Sequence, residues 1–171
     1  MFAIVQNDQI QMLVQEGTAF VWDGIQYPAN WCNLSTPEEK AAIGMVDVVY
    51  GPQANQTYYW VTQDAPVYNP VTNQVDITFT STPKDLDQTK STCVAQINQT
   101  AYTLLFPSDW RVVKATETST PIDPAWNTWR ASVRTTADTS RAAVEAAVDM
   151  AGVEAAMSNI AWPPSPDAPT P

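Results

Sequence analysis

Apolar and polar residues alternate with a period of two through much of the first half of the chain, which is typical of β-strands with one buried face. The segments FAIVQ and IQMLV flank Asn7-Asp8-Gln9, and AFVW and IQYP flank Asp23-Gly24. Asp-Gly between apolar runs is a strong signal for a tight hairpin turn. We therefore expect residues 2–28 to form a small antiparallel meander.

The segment NLSTPEEKAAIG carries the signals of a short helix over residues 37–43. Thr36 is placed to cap its N-terminus, Pro37 suits the first helical position, and Glu39 completes a capping box. Gly44 follows, where a left-handed residue commonly ends a helix.

Three more strands are predicted, in MVDVVYG, TYYWVT and VDITFTS, and the Pro- and Asn-rich DAPVYNPVTNQ between the last two is predicted to be a loop. In VDITFTS the apolar Val75, Ile77 and Phe79 alternate with polar residues. One face of this strand should therefore meet solvent, which is typical of an antiparallel sheet.

From Lys84 the apolar residues recur at spacings of three, four and seven, which predicts an amphipathic helix of about twenty residues ended by Pro107. A second helix should open at Asp123 as its N-cap, followed by Pro124. A shorter helix is predicted in MAGVEAAMSN, capped by Asp149.

The second helix carries an apolar stripe made of Trp126, Trp129, Val133, Ala137, Val144 and Val148. Arg130, Arg134 and Arg141 fall along the border of this stripe. Their aliphatic stems should cover apolar surface while the guanidinium groups stay in water. Asp138 and Glu145 come four residues after Arg134 and Arg141 and should pair with them.

Strands followed by helices indicate an α+β fold rather than a parallel α/β sheet. We expect an antiparallel β-rich region over about 1–83 with one short helix, and a helical region over 84–162. Residues 163–171, PPSPDAPTP, should form a flexible tail.

The chain has 171 residues and a net charge of −10. Residues 1–83 hold eight acidic residues against the single Lys40, which argues against binding nucleic acid through phosphates. No apolar run reaches the roughly 18 residues of a membrane span, so no membrane partner is expected. The first residues lack the basic segment of a signal peptide, so we expect synthesis in a cytoplasm, with Cys32 and Cys93 as reduced, buried residues.

Histidine is absent, which removes the commonest general base, Ser-His triads and most zinc sites. Glu38 and Glu39 are paired carboxylates, but they lie in the first turn of a helix, where acidic residues stabilise the helix dipole. We therefore expect no enzyme, no cofactor and no metal. A glycosidase that uses only carboxylates remains the catalytic alternative.

Aromatic residues are the remaining candidates for recognition. Tyr58, Tyr59 and Trp60 are consecutive on a predicted strand, where successive side chains point to opposite faces, so one at least should face outward. Core packing is the alternative role for each aromatic. Tyr59 is the first candidate for contact with a partner, together with Tyr58 and Trp60, and then Trp22 and Trp31.

Several segments resemble one class of viral proteins. Asp109-Trp110, PAWNTWRASVR and WPPSP are similar to the C-terminal region of bacteriophage tail fibre assembly chaperones and related tail-associated proteins. YPANWCNLSTPEEKAAIGMVDV and TSTPKDLDQTK are similar to the β-rich front of many tail proteins, although Trp129 stands where Tyr is more usual. The resemblance carries over structural markers and no catalytic site; the markers are Trp126, Trp129, Arg130, Arg134, Trp162 and Pro163.

The resemblance implies a protein that binds a trimeric tail fibre protein and assists its folding and trimerisation in the host cytoplasm, leaving afterwards or remaining in the virion tail. A structural or receptor-binding tail component that contacts a host glycan is the alternative. Within this chain, the segment IAW would fold back as an extended strap, with Trp162 against the apolar stripe.

Overall fold

A computed structural model describes residues 1–167. The flexible tail was predicted over 163–171, and its last four residues, 168–171, lie outside the described range. The chain divides into two compact units, Met1–Thr82 and the residues from Pro83 onward. The first is rich in strands and the second is helical, which confirms the predicted α+β class.

Nine strands lie within the described residues: β1 (Phe2–Gln6), β2 (Gln9–Val14), β3 (Phe20–Trp22), β4 (Ile25–Tyr27), β5 (Met45–Tyr50), β6 (Tyr59–Gln63), β7 (Val67–Asn69), β8 (Gln74–Ile77) and β9 (Phe79–Pro83). Five of them form one sheet in the order β2-β1-β5-β8-β7. β5 and β8 pair in parallel, with Val48 opposite Val75, while the other neighbours pair antiparallel. The predicted antiparallel pairing is confirmed for three of the four neighbouring pairs and was wrong for β5 with β8. A strand with one solvated face fits either direction, and the crossover between β5 and β8 makes this pair parallel.

Both faces of this sheet carry buried apolar residues. Ile4, Val14 and Met45 on one face form a cluster with Phe20 and Cys32. The predicted meander was wrong here, since β3 and β4 form a separate two-stranded sheet. Phe20 stacks on Tyr27 at 4.7 Å between ring centroids and meets Trp31 edge-on at 5.9 Å. These aromatic contacts favour packing of the hairpin onto the sheet over extension of its edge.

The local turn and cap signals of this unit are confirmed. Asn7, Asp8, Asp23 and Gly24 all have positive φ, as tight hairpin turns of this kind require. A four-residue helix, α1 (Trp31–Leu34), was not predicted, and the next helix is α2 (Pro37–Ala42), one residue shorter than expected. Thr36 and Glu39 form its capping box.

Gly44, after α2, has a φ of +69°, and a Cβ built there would lie 2.4 Å from the carbonyl oxygen of Val5. Glycine is therefore required at this position for two reasons, its conformation and the closeness of β1.

The predicted strand VDITFTS is divided at Thr78 into β8 and β9, and β9 pairs with β6 in a two-stranded sheet. Asp64 fixes the division, because its carboxylate accepts hydrogen bonds from the hydroxyls of Thr78 and Thr80 at 2.8 and 2.7 Å. The predicted loop contains β7, in which Tyr68 lies opposite Val75. Proline and asparagine make up four of its eleven residues, but the three residues Val67–Asn69 still complete the sheet.

The helical unit contains α3 (Leu86–Leu105), α4 (Asp109–Thr118), α5 (Pro124–Ala146) and α6 (Met150–Ser158), with a 3₁₀ turn over Phe106–Ser108. α5 packs on both α3 and α6. The side chains of Asp85, Asp123 and Asp149 cap α3, α5 and α6, which confirms the predicted starts of α5 and α6.

Most of the predicted stripe on α5 is buried, namely Trp129, Val133, Ala137 and Val144, and Trp126 is half-buried. Val148 is 88% exposed, so its inclusion was wrong. The physical reason is that α5 ends at Ala146 and Ala147 is extended, which takes Val148 out of the helical repeat.

Candidate partner-binding surface

The three consecutive aromatics predicted to contact a partner have three different environments. Tyr58 is 7% exposed, Tyr59 is half-buried and Trp60 is 66% exposed. The prediction that all three lie on a strand was wrong for Tyr58, because β6 begins at Tyr59 and Tyr58 lies in a turn, where its amide donates to the carbonyl of Asn55. Trp60 is therefore the member of this group that presents most surface to a partner.

Trp22 and Trp31 are half-buried and pack against the cluster that contains Phe20 and Cys32. Trp31 also meets Tyr27 edge-on at 4.9 Å. Their main contacts are therefore inside the β-rich unit.

Another group of exposed apolar residues lies where no site was predicted, around α4. This ten-residue helix has no buried residue, and Trp110 is 54% exposed. We call the group of exposed apolar residues on α4 and just before it the α4 surface; it comprises Tyr102, Phe106, Trp110, Val112 and Val113. The rings of Tyr102 and Phe106 are in contact, with centroids 5.5 Å apart. Large apolar side chains that are concentrated in one exposed segment are candidates for contact with a partner protein.

The sequence did contain a signal for α4. Trp110 and Val113 recur at helical spacing and Asp109 stands in the first turn, but the nearby Pro107 predicts only the end of α3. In the structure Pro107 lies in the 3₁₀ turn that connects the two helices.

Arg130 fixes the start of α4. Its guanidinium donates to the carbonyl of Leu105 at 3.0 Å, to the hydroxyl of Ser108, and to the carboxylate of Asp109 at 2.7 Å. The expectation of a solvated guanidinium was wrong for Arg130, which is 5% exposed, because the turn before α4 brings three acceptors within reach.

The other two arginines on this side of α5 remain at the surface. Arg134 is exposed, and Arg141 donates to Asp138 and to Asn98. The predicted pairs, Arg134 with Asp138 and Arg141 with Glu145, were wrong, since Asp138 pairs with Arg141 one turn further on.

Aromatic and cationic side chains form a continuous series of contacts from Trp110 on α4 to Pro163. The guanidinium carbon of Arg111 lies 4.8 Å from the Trp110 ring centroid and 4.2 Å from that of Trp126. Trp126 meets Trp129 edge-on at 5.4 Å. The indole N–H of Trp129 donates to the carbonyl of Pro163 at 3.1 Å, so Pro163 is held against α5 and is not part of a flexible tail.

Trp162, the residue before it, is half-buried and lies beside α3 and α6, where it lines a small cavity with Ile97, Thr100 and Met157. The extended segment at 160–163 thus returns over the helices. Trp129, rather than Trp162, makes the polar contact between this segment and the stripe on α5.

A cavity of about 120 Å³ opens beside α4. Trp110, Arg111 and Lys114 line one side of it, and the others are lined by Ala115, Thr118, Thr120, Pro121, Ile122 and Asp123. The lining is therefore mixed: apolar side chains and two threonines make up most of it, with two cations and one carboxylate. The dimensions fit a single side chain better than a substrate-sized ligand.

The ionisable groups elsewhere behave as parts of the fold. The pKa of Glu38 is lowered by hydrogen bonds from its backbone and from Thr36, as befits a carboxylate in the first turn of a helix. Burial raises the pKa of the Cys32 and Cys93 thiols, which keeps them protonated and unreactive. Across residues 1–167, no cluster of three or more Cys, Asp or Glu side chains is arranged to hold a metal ion.

None of the helices within the described range has both the length and the apolar character needed to cross a bilayer.

Comparison with known proteins gives no match for this chain among protein-family models, curated proteins or solved structures.

Proposed function

We propose that this chain is a phage tail fibre chaperone or accessory subunit, which binds the fibre protein in the host cytoplasm, assists its folding and trimerisation, and either leaves or remains in the virion tail. The observation that carries the proposal is the α4 surface, where five large apolar residues within twelve positions are exposed and the helix that bears Trp110 buries none of its residues. The resemblance of Asp109-Trp110 and PAWNTWRASVR to tail fibre chaperones supports the same assignment.

A ten-residue helix with no fully buried residue is marginally stable in water, because most helical stability in proteins comes from packing of an apolar face. A partner that covers Trp110 and Val113 would supply that packing. Bulky aromatic residues are also the usual energetic centres of protein interfaces.

A fibre protein has the chemistry that this surface suits. Long β-rich trimers expose apolar strands and unpaired strand edges before they close, and such intermediates aggregate. The apolar α4 surface can cover them, while a net charge of −10 keeps the complex dispersed.

One observation favours the alternative, a tail component that contacts a host glycan. Trp60 presents 66% of its surface on a two-stranded sheet, and an exposed indole face can stack on a sugar ring. Binding of purified chain to host surface polysaccharide, lost in Trp60→Ala, would support this alternative.

Co-expression tests the proposal. The fibre protein of the same phage is produced with no partner, with the wild-type chain, and with Trp110→Ala/Val113→Ala. We expect the wild-type chain to raise the yield of soluble trimer several-fold and the double variant to return it towards the level without a partner.

The matched control is Leu34→Ala/Val71→Ala, which removes two exposed apolar side chains from the β-rich unit. It should act like wild type, and circular dichroism should show that both variants keep their helix content. Equal trimer yields with and without the wild-type chain would eliminate the proposal. Full activity of Trp110→Ala/Val113→Ala would leave the function in place and remove the α4 surface as its site.

A further inference from the structure

Two cations on α4 have no acidic partner among residues 1–167, although the chain is strongly acidic. Among 18 acidic and 8 basic residues, Arg130 pairs with Asp109 and Arg141 pairs with Asp138. The Arg111 guanidinium donates no hydrogen bond to any described residue, and its buried Nε has no acceptor there. Lys114 forms no ion pair within residues 1–167, and its Nζ lies 5.9 Å from the Trp110 ring centroid.

The Arg111 side chain is nevertheless held in place. The indoles of Trp110 and Trp126 both lie against its guanidinium, at 4.8 and 4.2 Å. The terminal N–H groups of a guanidinium held in this way can still donate hydrogen bonds, and their fork matches a carboxylate. The rotamer freedom lost on binding is therefore already reduced.

We propose that Arg111 and Lys114 bind a carboxylate side chain of the partner protein, and that an apolar side chain next to it in the partner's sequence fills the adjoining cavity of about 120 Å³. Ala115, Pro121 and Ile122 supply the apolar wall. The inference rests on the proposed function only for the identity of the partner, a fibre protein.

The charges around the site favour one carboxylate over a polyanion. Asp123 lines the cavity and Glu117 lies on the same helix. A nucleic acid or another dense anion would be repelled by these two carboxylates and by the net charge of −10. Neither Asp123 nor Asp109 forms an ion pair with the two cations: Asp123 accepts the amide of Ala125 at 2.8 Å, and Asp109 pairs with Arg130.

The same charges disfavour a second copy of this chain as the occupant. If two α4 helices paired antiparallel about Val113, Asp109 of one copy would face Glu117 of the other at both ends of the contact. Like charges placed opposite each other destabilise such a pair. A different protein that offers an acidic residue beside an apolar one fits better.

Short peptides test the site without any fibre protein. The probes are acetyl-Leu-Asp-Leu-amide, its Leu-Asn-Leu counterpart and inorganic phosphate, titrated into full-length ¹⁵N-labelled chain while the tryptophan indole N–H signals are followed. We expect the Asp peptide to shift the Trp110 and Trp126 signals and to bind at least about fivefold more tightly than the Asn peptide. Phosphate should compete weakly.

Arg111→Gln and Lys114→Gln should each weaken binding of the Asp peptide, and Arg134→Gln, an exposed arginine on α5, should not. Lys114 is exposed, so its replacement tests the site even if Arg111→Gln perturbs folding. Equal binding of the Asp and Asn peptides, or binding unchanged in Lys114→Gln, would overturn the inference. Tighter binding of phosphate than of the Asp peptide would also overturn it. If the chain raised the trimer yield in co-expression but did not bind the Asp peptide, the proposed function would stand and only the carboxylate site would be contradicted.

Discussion

Arg130 and Arg134 lie about one turn apart on α5, yet one is buried and the other is exposed. The difference comes from what lies opposite each guanidinium. Arg130 meets the carbonyl of Leu105, the hydroxyl of Ser108 and the carboxylate of Asp109, whereas Arg134 stays in solvent. Helical periodicity within α5 cannot predict which arginine is buried, because the acceptors of Arg130 lie more than twenty positions earlier in the sequence.

Replacement of these two arginines should therefore have unequal effects. Arg130→Met leaves the acceptors before α4 without donors and should lower the free energy of unfolding of the helical unit by about 2–3 kcal/mol. Arg134→Met, the matched control, should change it by less than about 0.5 kcal/mol. Urea unfolding followed by circular dichroism measures both, and equal effects would show that the Arg130 contacts contribute little.

Asp64 provides a pH-dependent contact at the same scale. The hydroxyls of Thr80 and then Thr78 lower the pKa of its carboxyl group below the usual value. Because the folded pKa is depressed, the stabilisation is fully present above the unfolded value of about 3.9 and is lost as the pH falls through the folded pKa.

Thr80→Val should raise the Asp64 pKa towards its ordinary value and make stability less dependent on pH in the acid range. An NMR titration of the Asp64 carboxyl carbon measures this directly, with Thr62→Val, an exposed threonine of β6, as the control. An identical Asp64 pKa in wild type and Thr80→Val would contradict the assigned role of the hydroxyl.

Among the elements, those with local signals could be predicted from the sequence and those set by distant contacts could not. The capping box of α2, the Asp-Gly hairpin and the starts of α5 and α6 each depend on residues a few positions apart. The parallel pairing of β5 with β8 and the separate β3–β4 sheet depend on packing between segments far apart in sequence. The candidate site was missed for the same reason, since the α4 surface exists only because neighbouring elements leave it uncovered.

The extended segment at 160–163 gives a test at the scale of elements. Removal of residues 160–171 takes away the half-buried Trp162 and the acceptor of the Trp129 indole, so it should destabilise the helical unit by about 2–3 kcal/mol. Removal of residues 164–171 keeps both and should change stability by less than about 0.5 kcal/mol. Equal melting temperatures for the full chain and the chain ending at residue 159 would refute the role of this segment.

The whole molecule combines an acidic β-rich unit with a helical unit that exposes apolar surface on one helix. Residues 1–83 have eight acidic residues and one basic residue, which favours solubility of any complex that the chain forms. Exposed Trp110 and Val113 on α4 would otherwise favour aggregation. Together these properties support the proposed role of a protein that keeps aggregation-prone chains in solution until they assemble.

The most direct measurement of the central claim is hydrogen exchange of the chain alone and in complex with the fibre protein. Without a partner, the amides of α4 should exchange quickly, because no residue of the helix is fully buried. In the complex, we expect their exchange to slow by about tenfold or more, with little change in α6. Absence of a complex on size exclusion, or a complex in which α4 exchanges as fast as in the chain alone, would contradict the account.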